Sequence, residues 1–352
     1  MPPTPVLDAS SAVAVTPAGR AARVRPLGLL VLTVLLAAVT LASLAWGARD
    51  IPWSVVLDAV TGRTPGDTDH SVVLDQRLPR TAVGLLGGAA LGVAGALMQG
   101  ITRNPIADPG LLGVNAGSSL AVVSAVALLG VTDPAGFLWF AFLGAAFAAV
   151  VVYGVASVGW GGVTPVKLAL VGAAFGAVAT SLVTLVLLTD VRVLEQYRFW
   201  SVGSLVNRPW STIFAVAPFV LAGLVLSVAT GRFLNAMALG DDLARGLGQN
   251  VRLGRLVVVL AVVLLCGSAT SLVGPIAFVG LMVPHTARLL AGPDYRWVLP
   301  YSALLGPVVL LTADVVGRLV ARPSEIEAGL VVALVGAPVL IALVRRSKSV
   351  SM

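Results

Sequence analysis

Two charged residues stand alone in the otherwise uncharged apolar run 298–320: Asp314 and Arg318, four positions apart. At 3.6 residues per turn they share one helical face, where opposite charges attract. Charges inside an apolar span are costly and are retained in pairs or for function. One reading is an ion pair that fixes the helix, and the other is a proton or cation site at Asp314. Other reactive chemistry is sparse. His70 and His285 lie far apart without carboxylates at ligand spacing, so no metal site is expected. Cys266 is the single cysteine, which leaves no disulfide framework within one chain. A phosphate-cradling loop requires Gly-x-x-x-x-Gly-Lys-Ser/Thr. Lys167 is followed by Leu168, and Lys348-Ser349 is preceded by Arg345, Arg346 and Ser347 with no glycine. No Ser/His/Asp arrangement emerges either. The expectation is no catalytic residue, no bound cofactor, no metal and no enzyme.

The elements that position Asp314 and Arg318 follow from composition. Of the 352 residues 58% are hydrophobic and only 11% charged, with a mean hydropathy of +0.98. Soluble domains carry about 25% charged residues, so this is an integral membrane protein. Its pI near 10.5 comes from thinly spread arginines with no basic, aromatic-interleaved stripe, which argues against nucleic acid. Apolar runs at 27–46, 79–100, 111–130, 137–157, 165–188, 211–231, 255–273, 275–291, 298–320 and 327–344 predict an all-α, polytopic bundle of about ten transmembrane helices. The run 275–291 is short, and Gly274-Pro275 is alternatively a break within one span. Residues 1–26, rich in Pro, Ala and Ser, read as a disordered basic tail. Residues 27–346 form a single transmembrane domain, and 347–352 a short tail. Ten spans put both termini on one side. That side collects 14 of the 23 basic residues but only five of the 16 acidic ones, so the positive-inside rule places both termini in the cytoplasm.

The longest polar interruption well inside the chain is 235–255, on the same cytoplasmic side. Asp241 to Leu247 suits a short helix of about two turns, with Asp241 and Asp242 at the positive end of its dipole. Gly240 and Gly248 bracket it, and Leu239, Leu243 and Leu247 form an apolar stripe at four-residue spacing. Such a helix is either a solvated connector or a contact for something outside the bilayer. Within the second span, Gly84, Gly88, Gly92, Ala96 and Gly100 recur every fourth residue and clear one helix face for close packing, as small residues do in lipid. Gly172 and Gly176 repeat the spacing more briefly. Pro218, Pro307 and Pro338 fall inside spans and predict kinks.

Several segments then carry a resemblance: RLPR at 77–80, MQGITRNPIADPGLLGVNAG at 98–117, GPIAFVGLMVPHTAR at 274–288, PYSALLG at 300–306, ADVVGR at 313–318 and EAGLVVALVGAPV at 327–339. Together, in this order, they resemble the FecCD family of ABC-importer permeases, whose members carry iron–siderophores, haem or cobalamin. The resemblance implies the permease subunit of an ATP-driven importer in the cytoplasmic (inner) membrane of a bacterium. Its cargo is expected to be an iron–siderophore-type chelate, with haem or cobalamin as alternatives. Implied partners are a second permease (homodimer or sister heterodimer), two cytoplasmic ATPase subunits that carry ATP and Mg, and an extracytoplasmic substrate-binding protein. The family's ATPase-coupling pattern falls on Leu239, Gly240, Asp241, Asp242, Ala244, Arg245, Leu247 and Gly248, with Leu243 in the same stripe. Arginines that meet glutamates of the binding protein correspond to Arg77, Arg80 and Arg318. An ion-coupled secondary transporter using Asp314 is the reading from a different class.

Overall fold

The computed structural model describes residues 18–62, 68–132, 134–158 and 163–349. Among these the secondary structure is helical throughout, and no strand occurs. In chain order the helices are α1 (Ala18–Ala45), α2 (Trp53–Thr61), α3 (Thr68–Ser71), α4 (Leu78–Thr102), α5 (Val114–Leu129), α6 (Pro134–Ser157), α7 (Pro165–Thr189), α8 (Val191–Ser201), α9 (Trp210–Ala238), α10 (Asp241–Gly246), α11 (Val251–Val273), α12 (Val279–Ala291), α13 (Tyr295–Val320) and α14 (Ala328–Ser349). A π-helical stretch, Val72–Arg77, joins α3 to α4. Seven helical segments are long and apolar enough to cross a membrane, and Val114–Leu129 and Ala328–Ile341 add two shorter apolar helices. With α12, these account for all ten runs expected from the sequence.

Helix α4 lies at the centre and is buried along most of its length, as is α11, whereas α1 and α7 are largely exposed. The glycine ladder explains that centrality. A methyl group on Gly88 would lie 2.5 Å from both Cα and N of Pro307, and one on Gly92 would lie 2.6 Å from the Ser302 carbonyl oxygen. One on Gly84 would strike the Leu311 side chain, and one on Gly100 would come within 3.0 Å of Leu234 and Tyr295. The ladder therefore seats α13 backbone against α4 backbone, and dispersion replaces the hydrophobic drive that lipid does not supply. Gly172 likewise meets the Leu111 carbonyl, but Gly176 faces open space. The expected repeat of the packing pattern in α7 thus holds at one glycine of two.

Two expectations need correction. Helix α1 begins at Ala18, so residues 18–26 are helical and continuous with the first span; residues 1–17 of the expected tail lie outside the described residues. At the other end α14 continues to Ser349, past the expected boundary at 346, and 350–352 lie outside the described residues. Separately, α12 has only 13 residues. It starts beside Gly95 of α4, where a Cβ on that glycine would collide with the Gly280 carbonyl. That level is past the midpoint of α4, so α12 covers only the half of the bundle nearer α10. Residues 274–278 enter that depth without helical structure, bounded by Gly274 at φ 79° and Phe278 at φ 69°. Irregular backbone is tolerated there because it is enclosed by protein: Gly274 N–H donates to the Thr270 carbonyl at 2.9 Å, and the Val273 carbonyl accepts from Ser204 N–H at 2.9 Å.

Candidate functional site

The short polar helix and the charged residues of the opposite end are built differently. Helix α10 spans Asp241–Gly246, about one and a half turns and shorter than expected, with Leu247 closing it. Gly240 (φ 109°) and Gly248 (φ 80°) occupy backbone conformations that residues with a Cβ rarely adopt, so the glycines fix both ends of the turn. Asp241 anchors the helix. Its carboxylate pairs with Arg103, just beyond α4, and with Arg255 in α11 at 2.7 Å. Arg255 also donates to the Val163 carbonyl at 2.9 Å. Asp242 and Arg245 pair with each other at 2.8 Å in solvent. Ala244 is fully buried, while Leu239, Leu243 and Leu247 are 60%, 60% and 61% exposed. With Asp241 salt-bridged to the bundle, Leu243 of this helix, Leu247 at its C-terminal cap and Leu239 just before Gly240 are all left exposed. Isolated exposed leucines are ordinary, but a stripe on an anchored helix outside the spans has the form of a contact surface.

The three arginines, in contrast, share one end of the bundle and are turned inward. Arg77 donates to the carbonyls of Leu44 (2.8 Å), Ala45 (2.7 Å) and Arg49 (2.5 Å). It thereby satisfies acceptors that the end of α1 leaves unpaired. Arg80 donates Nε and Nη2 to Asp314 Oδ1 at 2.9 and 2.7 Å, and Nη1 to Glu325 Oε2 at 2.6 Å. Arg318 pairs with Asp314 Oδ2 at 2.9 Å and donates to the Ser43 carbonyl at 3.1 Å and its hydroxyl at 3.0 Å. Ser43 and Thr81 hydroxyls lie 2.8 Å apart. The network ties the ends of α1, α4 and α13 together. Asp314 has no exposed surface and Arg318 is 1% exposed. Arg77, Arg80 and Arg318, which the resemblance assigns to contacts with a binding protein, are buried in this structure, 4%, 8% and 1% exposed, and bond to internal partners where three helix ends converge.

The intrahelical Asp314–Arg318 pair anticipated from four-residue spacing is present. Arg80 and Glu325 as further members were not anticipated, since Arg80 and Asp314 are 234 positions apart and no periodicity links them. A second unanticipated contact lies at the α10 end. Asp294 caps α13 through Arg296 N–H at 3.0 Å and accepts from the Asn235 side chain at 2.6 Å. Hydrogen bonding to the Arg296 side chain, reinforced by Asn235, holds its pKa down at about 2 against the cost of burial. No group of three or more His, Cys, Asp or Glu side chains fit to hold a metal occurs among the described residues.

A model of the FecCD transport family matches residues 35–346. The chain belongs to the FecCD transport family. Among FecCD proteins it is 49% identical over 315 residues to the ferric enterobactin transport system permease protein FepD of Escherichia coli (strain K12), covering 90% of this chain and 94% of that protein. It is 41% identical over 313 residues to a Bacillus subtilis (strain 168) protein described as a siderophore transport system permease, YfiZ, covering 89% and 93%. A solved structure described as a metal-chelate type ABC transporter in an inward-facing conformation superposes with a TM-score of 0.80 at 27% identity. That superposition covers 91% of this chain and 99% of the other.

Proposed function

We propose that this FecCD chain is the membrane-spanning permease subunit of an ATP-driven importer that carries an iron–siderophore-type metal chelate across the inner membrane of a bacterium. The observation that carries this reading is α10, whose leucine stripe is exposed while Asp241 ties it to α4 and α11. On this reading Leu239, Leu243 and Leu247 dock a cytoplasmic ATPase subunit, which binds ATP and Mg. Movement of that partner then enters the bundle through Asp241. A second permease chain completes the translocation path, and an extracytoplasmic binding protein delivers the chelate to the opposite end. There Arg77, Arg80 and Arg318 act as positioning residues that hold the helix ends beneath the docking face. The charge bias of the loops supports α10 on the cytoplasmic side. An ion-coupled mechanism through Asp314 is disfavoured, because that carboxylate has no exposed surface and is clamped between two arginines.

Uptake by proteoliposomes tests the proposal. The chain is reconstituted with a partner ATPase and a siderophore-binding protein and offered an iron-55 siderophore complex. Uptake is expected to require internal ATP and to survive collapse of the proton gradient. Uptake that follows the gradient and ignores ATP would refute it.

A further inference from the structure

Beside α10 a cavity of about 650 Å³ opens between the end of α6 and the start of α11. Arg245, Arg252 and Arg255 line it with Tyr153, Ser157 and Gln249, and Asp241 is its single carboxylate among the described residues. Three arginines against one aspartate leave a surplus of two positive charges. None of Leu239, Leu243 and Leu247 takes part in the lining, and Leu239 and Leu243 border a separate recess. The cavity is therefore distinct from the leucine surface. Arg255 is committed to Asp241 and to the Val163 carbonyl. Arg245 has the pair with Asp242, whose carboxylate is 97% exposed, and solvated pairs of this kind hold weakly. Arg252 has no hydrogen bond or ion pair among the described residues.

An apolar groove continues from this cavity along the spans. On α11, Arg252, Leu256 and Leu260 follow at four-residue spacing and share one face; the two leucines are 53% and 49% exposed. Gly267 lies on the same face, and a Cβ there would sit 3.2 Å from the Phe142 ring of α6. Helix α6 thus packs antiparallel to α11, its end at the cavity and its Phe142 deep in the span. Descending α6 from the cavity, Ser157, Tyr153, Val150 and Phe147 recur every three or four residues, and Val150 and Phe147 are 71% and 62% exposed. Two exposed apolar faces therefore run down from the basic cavity until α6 and α11 close on each other at Phe142 and Gly267. From Arg252 to Gly267 is about 22 Å at 1.5 Å per residue. One leaflet contributes about 15 Å to a hydrocarbon core of ~30 Å, so the groove is deep enough for an acyl chain. Apolar residues facing lipid are ordinary in a span, but a basic cavity at the head of the same two faces is not.

The shape and charge select among occupants. A soluble anion would satisfy the arginines and leave the groove unused. A zwitterionic lipid would fill the groove but bring its own cation beside Arg245 and Arg252. Asp241 does not oppose an anion, because Arg103 and Arg255 already neutralise it. Basic pockets between spans on the cytoplasmic side suit anionic headgroups, and the planar fork of arginine can hold a phosphate in two bonds. We propose that the cavity and groove hold one phospholipid of the cytoplasmic leaflet with an anionic phosphodiester headgroup. Its phosphate accepts from Arg252 and Arg245, Gln249 and Ser157 bond the headgroup hydroxyls, and its chains lie along Leu256, Leu260 and Val150. The proposal uses the orientation given by loop charge, and neither the cargo nor the ATPase of the proposed function.

Native mass spectrometry of the full-length chain released from detergent tests the site, with phosphatidylglycerol as the probe. Phosphatidylcholine of the same acyl chains and glycerol phosphate are the controls. One phosphatidylglycerol is expected to be retained at a concentration well below that needed for phosphatidylcholine, and glycerol phosphate is expected not to be retained. Arg252→Gln should weaken retention about fivefold, the worth of one arginine at an anionic lipid surface. Arg252→Lys keeps the charge and should restore most of it. Because Arg252 is exposed, both variants should melt with the wild type. Arg192→Gln removes an exposed arginine at the opposite end of the bundle and should leave retention unchanged. Equal retention of the two lipids, or an equal effect of Arg252→Gln and Arg192→Gln, overturns the proposal. Glycerol phosphate bound as tightly as phosphatidylglycerol also overturns it and assigns the cavity to a soluble anion. Wild-type lipid retention by Arg252→Gln together with lost recovery of the ATPase overturns it in favour of an acidic segment of that partner.

Discussion

Asp314 is the keystone of the buried charge network, and its removal has a calculable consequence. It is fully buried and holds two guanidiniums: Arg80 at 2.7 Å and Arg318 at 2.9 Å. Each contact is worth roughly 4 kcal/mol of attraction at 4 Å and an effective dielectric constant of ~20, most of it offset by desolvation of both partners. Asp314→Asn keeps the shape but leaves the buried Arg318 without its carboxylate and Arg80 with only Glu325 as an anion. Removing one partner of a buried pair costs about 3–5 kcal/mol, because an uncompensated charge stays behind. The expected result is unfolding at markedly lower SDS fraction in a mixed-micelle titration, with weakened attachment of α1 to α4 and α13. A triple change, Arg80→Met, Asp314→Leu and Arg318→Met, should recover much of that loss, since replacing a whole buried charge set by apolar residues is often neutral or stabilising. Wild-type resistance of Asp314→Asn would refute the structural role. Intact stability with lost, proton-dependent uptake would restore the carrier reading.

Further predictions concern the packing, the exposed stripe and the acid limit. Gly88→Ala should cost about 1–3 kcal/mol by overpacking, since the added methyl would sit 2.5 Å from Pro307 backbone; Gly176→Ala, with open space around it, should be neutral or gain about 0.5–1 kcal/mol of helix propensity. Melting temperatures of the two variants check both. Leu243→Asp with Leu247→Asp should leave folding unchanged, because both leucines are about 60% exposed, yet abolish ATPase recovery in a pull-down. Docking would lose roughly 1.5–3 kcal/mol for each leucine that becomes fully buried. Asp294 is held at a pKa of about 2, below the usual carboxylate value of about 3.9. Its contribution is present above the unfolded value and is lost as pH falls from about 4 toward 2. Asp294→Asn should therefore lower stability at pH 6 to 8, where the contribution is fully present, and flatten stability against pH between about 4 and 2, read by melting curves.

Much of the architecture was legible because lipid makes apolar length a strong signal: every one of the ten runs corresponds to a helix in the structure. The run 275–291 read as short because α12 covers half the bundle, a depth that no run length encodes. Helices α2, α3 and α8 went unread. They lie outside the bilayer-length runs, although Asp190 offered a start signal that the structure uses: its carboxylate accepts from Arg192 N–H at 2.9 Å. The glycine ladder was legible as spacing, but its partner was not. Only the structure shows that Gly88 and Gly92 meet Pro307 and Ser302.

The arginines show where reading by position fails. All three lie at one end of the bundle, as expected, and arginine at a span end ordinarily reaches toward water. What the sequence hides is that α1 ends beside α4 with unpaired carbonyls, and that an aspartate from α13 arrives at the same point. A guanidinium with five donors satisfies such a junction better than solvent can once the helices have closed over it. The consequence reaches the far end of the molecule. Helix α4 is gripped at one end by Arg80–Asp314 and along its length by α13 through the glycine ladder. Just beyond its other end, Arg103 holds Asp241 of α10. On the proposed function, a displacement of α10 by its partner is therefore delivered to α4 and α13 together, instead of being absorbed by a loose connector. Breaking the Asp241 contacts with Asp241→Asn should preserve ATPase recovery through the leucines while uncoupling ATP hydrolysis from uptake. Retained coupling in that variant would mean that force enters the bundle through α11 or α9 instead.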